Sequence, residues 1–127
     1  MRAVLIAIVF VYICICLSAQ SQPAPLSISP TKVDFGAQGV NSQAPAVTVT
    51  IRNESKSPVT IQEILCSGID FGSQNNCAQR LQAGNECTIL VSFRPAIAGD
   101  RIGILQITAS DSPQSHFIPL TGIGTDQ

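Results

Sequence analysis

An all-β sandwich is the fold class that this 127-residue sequence predicts, and three observations carry it. The composition is 45% hydrophobic but only 5% aromatic, with Val, Ile and Thr abundant, and these side chains suit a pleated, half-buried surface. Apolar residues recur with a period of two in several short runs, and nowhere with a helical period of useful length. Pro, Gly and Asn punctuate the chain about every ten residues, which is the rhythm of turns between short strands.

At the N-terminus, Arg2 stands ahead of an uninterrupted apolar run from Ala3 to Leu17, followed by small and polar residues. This is the grammar of a signal peptide. The run falls short of the ~20 residues that a membrane-crossing helix needs, so cleavage is expected, and a membrane anchor arises only if the leader is retained. Ala19 and Ser21 are suitably small for a cut after Ser21, and Cys16 with Ser18 offers an alternative. Cys14 and Cys16 each follow Ile, where a lipid-attachment signal carries a small residue, and they read as ordinary apolar leader residues. The expected organisation is a signal segment over 1–21, a linker over 22–25, one domain over 26–124 and a tail over 125–127. The expected location is secreted, periplasmic or otherwise in a cell envelope.

Within the domain, Leu26 to Ser29 and Lys32 to Phe35 are extended pieces around Pro30, as in a first strand broken at a sheet edge. Val47, Val49 and Ile51 alternate with Thr48, Thr50 and Arg52, so one face is buried and the other wet. Val59 and Ile61 keep that period, but Ile64 is one step out of phase, which predicts a β-bulge between them. Ser67 to Asn76 reads as a loop anchored by Phe71. Cys87, Ile89, Val91 and Phe93 alternate with Thr88, Leu90 and Ser92 in a second strong strand ended by Pro95. After a turn at Gly99 and Asp100, Leu105 and Ile107 share one face and Ile102 and Ile104 the other. Ile118 and Leu120 mark a last strand, where Pro119 predicts an edge position and Gly122 and Gly124 the end. These elements together predict a seven-stranded immunoglobulin-like β-sandwich.

The order and spacing of several short pieces resemble the ASH domain (ASPM, SPD-2, Hydin), close to the major sperm protein group of immunoglobulin-like folds. The pieces are Pro30, Val33 to Gly36 (VDFG), Asn53, Ser67 to Phe71 (SGIDF), Ile89 to Pro95 (ILVSFRP) and Pro119 to Gly124 (PLTGIG). The resemblance runs from Leu26 to Gly124 and is strongest to exported bacterial versions, the choice-of-anchor D type. It implies a protein-interaction or spacer module, with the partner unidentified. Asn41 departs from the pattern, which commonly has Gly there, but Asn accepts a left-handed backbone. The leader is at odds with the cytoskeletal roles of eukaryotic relatives.

Three cysteines remain outside the leader, Cys66, Cys77 and Cys87, allowing three pairings and one thiol left over. Cys77 and Cys87 flank the AQRLQAGNE turn and match paired positions of the resembled family, so they are the expected disulfide. Cys66 is not part of the pattern and reads as a buried small hydrophobe. These cysteines and the lone His116 lack the short paired spacings of structural zinc, and His116 has no nucleophile motif beside it. The carboxylates are scattered over turns, with Asp34, Glu54, Asp100 and Asp111 reading as turn formers. Neither an enzyme nor a cofactor site is expected.

Without Arg2 the chain has six basic against eight acidic residues, and its single Tyr lies in the leader. That composition speaks against nucleic acid as a partner and weakens an alternative reading as a carbohydrate- or ligand-binding envelope module. Asn53 to Ser55 spells a glycosylation sequon, but the turn reading is preferred. One feature points to a protein partner: Leu90, Ile102 and Ile104 fall on the phase opposite the core, and form an apolar patch if their strands are neighbours.

Overall fold

The computed structural model describes residues 25–126, so the expected leader, the linker residues 22–24 and the end of the tail lie outside the described part. The described chain is all β. Its strands are β1 (Leu26–Ser29), β2 (Val33–Gly39), β3 (Val47–Asn53), β4 (Val59–Ser67), β5 (Phe71–Asn75), β6 (Arg80–Leu81), β7 (Glu86–Phe93), β8 (Gly99–Ala109) and β9 (His116–Thr125). They form a four-stranded sheet in the order β1-β3-β7-β5, packed on a five-stranded sheet in the order β2-β9-β8-β4-β6.

The fold class is the expected immunoglobulin-like sandwich, and the extra segments have local causes. The first strand is divided at Pro30: β1 pairs antiparallel with β3, whereas β2 crosses to the other sheet and pairs parallel with β9. Phe71 to Asn75, read as loop, is an edge strand laddered to β7 from Phe71↔Phe93 to Asn75↔Ile89. Its polar sequence hides it, because an edge strand needs an apolar residue only where it meets the core. The two-residue β6 sits inside the AQRLQAGNE turn and pairs with the start of β4.

The core lies between the sheets. Val49, Ile51, Ile89, Val91 and Phe93 come from one side and Leu105, Ile107 and Leu120 from the other, all with 0% exposure. The alternation in β3 and β7 was therefore a true record of their phase. The bulge is also present: the β4–β8 register shifts between Ile61 and Glu63, after which Ile64 and Cys66 turn toward the core. Phe35, Phe71 and Phe93 cluster at one end, with centroids 6.0, 5.4 and 4.9 Å apart. Space for two of these rings comes from glycines across the sandwich. A Cβ on Gly122 would stand 2.4 Å from the Phe93 ring, and one on Gly103 would stand 2.7 Å from that of Phe71.

Pro119 does not mark an edge strand, since β9 runs between β2 and β8. The ring is tolerated for a narrower reason. The Thr125 carbonyl accepts from Val40 N–H at 2.9 Å, so by the period of two the odd-numbered residues of β9 turn their peptide groups toward β2. The register with β2 begins at Val33↔Leu120, so the N–H that Pro119 lacks would have pointed past the start of β2. Asn41 has φ 65°, the left-handed conformation foreseen for it.

Two buried polar residues tie the loops down. Asn53 is 0% exposed; its Nδ2 donates to the carbonyls of Ser57 (2.8 Å) and Leu81 (3.0 Å), and its Oδ1 accepts from the Ser55 N–H and hydroxyl. The amide nitrogen of the sequon is thus committed to closing the turn. Asp70, with a side chain 3% exposed, accepts from the Ala96 N–H at 2.8 Å and pairs with Arg101. Its backbone carbonyl also accepts from Arg94 N–H, so one residue joins the β4–β5 turn to the β7–β8 connection and to β8.

Cys77 and Cys87 form the expected disulfide, separated by 10 residues. It pins the β5–β6 connection to the core-facing side of β7. Replacing Cys77 with Ser should lower the unfolding free energy by about 2.7 kcal/mol on the loop-closure relation. Urea denaturation checks this against Cys66→Ser, which should cost less because Cys66 is an unpaired, half-buried thiol.

Candidate interaction surface

The two outer faces of the sandwich differ in chemistry. On the four-stranded sheet, the outward positions include Ser27 and Ser29 of β1, Thr48, Thr50 and Arg52 of β3, Glu86, Thr88, Leu90 and Ser92 of β7, and Gln74 of β5. Leu90 is 46% exposed and stands between Thr48 and Gln74, a single apolar side chain in a hydroxyl-rich field. Arg52 is flanked by Glu54 at 3.3 Å and Glu86 at 3.8 Å, both in solvent. Exposed pairs of this kind contribute little to stability.

The five-stranded sheet turns a different surface outward. β8 presents Ile102 and Ile104, 77% and 43% exposed, and β9 presents Phe117, Pro119 and Ile123. The register sets Ile104 beside Pro119 and Ile102 beside Thr121, with Phe117 and Ile123 on the diagonals. Leu65 of β4, 49% exposed, adjoins the same row through the pairs Leu65↔Gln106 and Ser67↔Ile104. Charged side chains stand at the margins of this row: Glu63 beyond Leu65, Asp34 on β2 beside Thr121, and Asp100 directly opposite Ile123 at the second rung of β8.

The expected single patch of Leu90, Ile102 and Ile104 is therefore divided. All three point outward, but β7 and β8 belong to opposite sheets, and Leu90 lies on the far side of the molecule. Alternation reports whether a side chain faces in or out and says nothing about which sheet its strand joins. Phe117 and Ile123 join the row on the five-stranded sheet, turned outward by the same phase that buries Ile118 and Leu120. Leu65 could be placed only once the bulge fixed the phase of the second half of β4.

The chemistry-bearing residues are arranged structurally. Cys66 packs partly against the core; burial pushes its thiol up, against a smaller downward pull from its hydrogen bond with Ser73, so it is poorly suited to act as a thiolate. His116 Nε2 lies 2.9 Å from Oδ2 of Asp111, whose side chain is 2% exposed. Asp111 thus does more than form a turn. His116 also borders a cleft of about 260 Å³ between β1 and β9, walled by Leu26, Ile28 and Ile118. Among the described residues, no group of three or more His, Cys, Asp and Glu is gathered to hold a metal ion. No helix among them is long and apolar enough to cross a membrane.

No known family profile matches the sequence, and no curated protein matches it. Solved structures do match its fold. The ASH/PapD-like domain 7 of human CEP192 aligns with 87% of this chain and 93% of its own at 11% identity, TM-score 0.63. WR4, a major sperm protein (MSP) family member from C. elegans, aligns with 81% of this chain and 100% of its own at 10% identity, TM-score 0.53. The secreted serine protease VesC of Vibrio cholerae aligns with 81% of this chain at 16% identity, TM-score 0.64. This chain spans 24% of VesC, so the likeness concerns one part of that protein. The fold is an MSP/PapD-like immunoglobulin fold.

Proposed function

We propose that this chain is an exported, non-catalytic β-sandwich module that works by protein–protein contact through the outer face of its five-stranded sheet. The observation that carries the reading is the contrast between the outer faces: one is hydroxyl-rich with Leu90 alone, and the other has an apolar row linked through the rungs and diagonals of β8 and β9, with charge at its margins. Scattered exposed apolar residues need no explanation, whereas a contiguous rimmed patch marks an interaction site. Export is supported by the leader grammar and by the disulfide, since such bonds persist in oxidising compartments. The choice-of-anchor D resemblance is in keeping with such a module. The β1–β9 cleft, at about 260 Å³, falls below the ~300–1,000 Å³ usual for small-molecule sites, and the larger hollow of about 470 Å³ around Arg80, Gln82 and Asn85 has a mainly polar lining where such sites are mainly apolar, so a ligand-binding role has less support.

The test compares faces. Ile102→Lys and Ile104→Thr should melt within about 0.5 kcal/mol of the parent, because outward strand positions tolerate polar side chains. Both should lose a protein that the parent retains on cross-linking, while Leu90→Thr on the other face should keep it. Retention by all three variants would sink the assignment.

A further inference from the structure

We infer that the occupant of the apolar face is the same face of a second copy of this chain, an inference that rests on the docking reading above. Three features favour a self-pairing surface. The β8–β9 ladder runs through nine consecutive pairs, from Gly99↔Gly124 to Ile107↔His116, without a register shift, so the face is regular. Regular sheets stack face to face about 10 Å apart with their strands nearly aligned.

The pairing is also chemically self-consistent. A twofold axis running along the strands between β8 and β9 exchanges the two strands. Each copy's Ile104 then lies over the other's Pro119, and each Ile102 over the other's Thr121, whose methyl group accepts an apolar contact. Glu63 and Asp34, on the strands outside this pair, remain at the periphery, and Asp100, near the start of β8, meets the other copy's Ile123 at the margin of the contact. An apolar centre with a charged, wet rim is the anatomy of a protein interface.

The area is sufficient as well. The fractional exposures of Leu65, Ile102, Ile104, Phe117 and Ile123 leave on the order of 500 Å² of apolar surface per copy. Two copies with their rims then reach the ~1,200 Å² at which specific interfaces begin, at the low end where association is reversible.

Sedimentation velocity over a wide concentration range tests the inference on the purified protein. The parent should pass from monomer to dimer as concentration rises. Ile102→Lys, which places two ammonium groups at the centre of the contact, should move that midpoint upward by more than about tenfold. Leu90→Lys should leave it in place. A parent that stays monomeric at every concentration would overturn the inference, as would an Ile102→Lys protein that dimerises like the parent. Cross-linking then separates the two readings. A monomeric parent that captures another protein, and loses it on Ile102→Lys, would remove the second copy while keeping the docking face; capture unaffected by the substitution would remove both.

Discussion

Phe93→Ala should lower the unfolding free energy by about 3–5 kcal/mol, read as a shift of the urea midpoint with little change in the denaturant slope. Phe93 is 0% exposed, stacked on Phe71 at 4.9 Å and within 5.4 Å of Phe35. The cost of such a truncation depends on how far the surroundings can close over the space left behind. Here one wall is the backbone of Gly122, in a strand paired on both sides. A backbone held by two ladders cannot move in to fill the void, and no side chain stands there to swing across. The upper part of the range is therefore expected. A loss of less than about 1 kcal/mol would mean that the ring is not the anchor of this end of the core.

Replacing Asp70 with Ala should cost about 3 kcal/mol or more, because it strands the largely buried Arg101 guanidinium and the Ala96 N–H together. The effect should depend on pH with a definite sign. Burial pushes the Asp70 carboxyl up, but the hydrogen bonds from Arg101 and Ala96 and the guanidinium charge outweigh it and hold the group below the usual carboxylate range. A carboxyl lowered in the folded state stabilises fully above its unfolded value of about 3.9, and the stabilisation is lost as pH falls through the folded value. The parent should therefore lose melting temperature below about pH 4 more steeply than Asp70→Asn does. Parallel curves for the two proteins would show that Asp70 is not a source of the acid sensitivity.

What the sequence made legible was what local chemistry determines. The phases of Val47–Asn53 and Glu86–Phe93, the bulge after Ile61 and the left-handed Asn41 each depend on a residue and its immediate neighbours. What stayed hidden depends on residues far apart. Asp70 and Arg101 are 31 positions from one another, and nothing in either segment announces the pair. Phe71 to Asn75 looks like a loop because its ladder partner, β7, supplies the regularity it lacks. The surface shows the same division: outward phase was readable for Leu90, Ile102 and Ile104, but the assignment of β7 and β8 to opposite sheets was not. For Pro119, the residue is at the margin of the β2 pairing, and only the sheet order shows that the strand itself is internal.

The parallel pairing of β2 with β9 has a mechanical consequence. The first strand of that sheet and the last strand of the chain point the same way, so tension applied to the two chain ends pulls them in opposite directions along their length. Their shared hydrogen bonds are then sheared together instead of being unzipped in succession, so the two stretches of the ladder on either side of the Asp34–Ala37 irregularity, Val33↔Leu120 to Asp34↔Thr121 and Ala37↔Ile123 to Gly39↔Thr125, are loaded at once. A domain tethered at both ends would resist extension up to a single threshold force. Pulling one molecule from its ends should first release the four-residue β1 from β3 and then record that threshold as one sharp peak, whereas gradual lengthening would show that β2 and β9 peel apart.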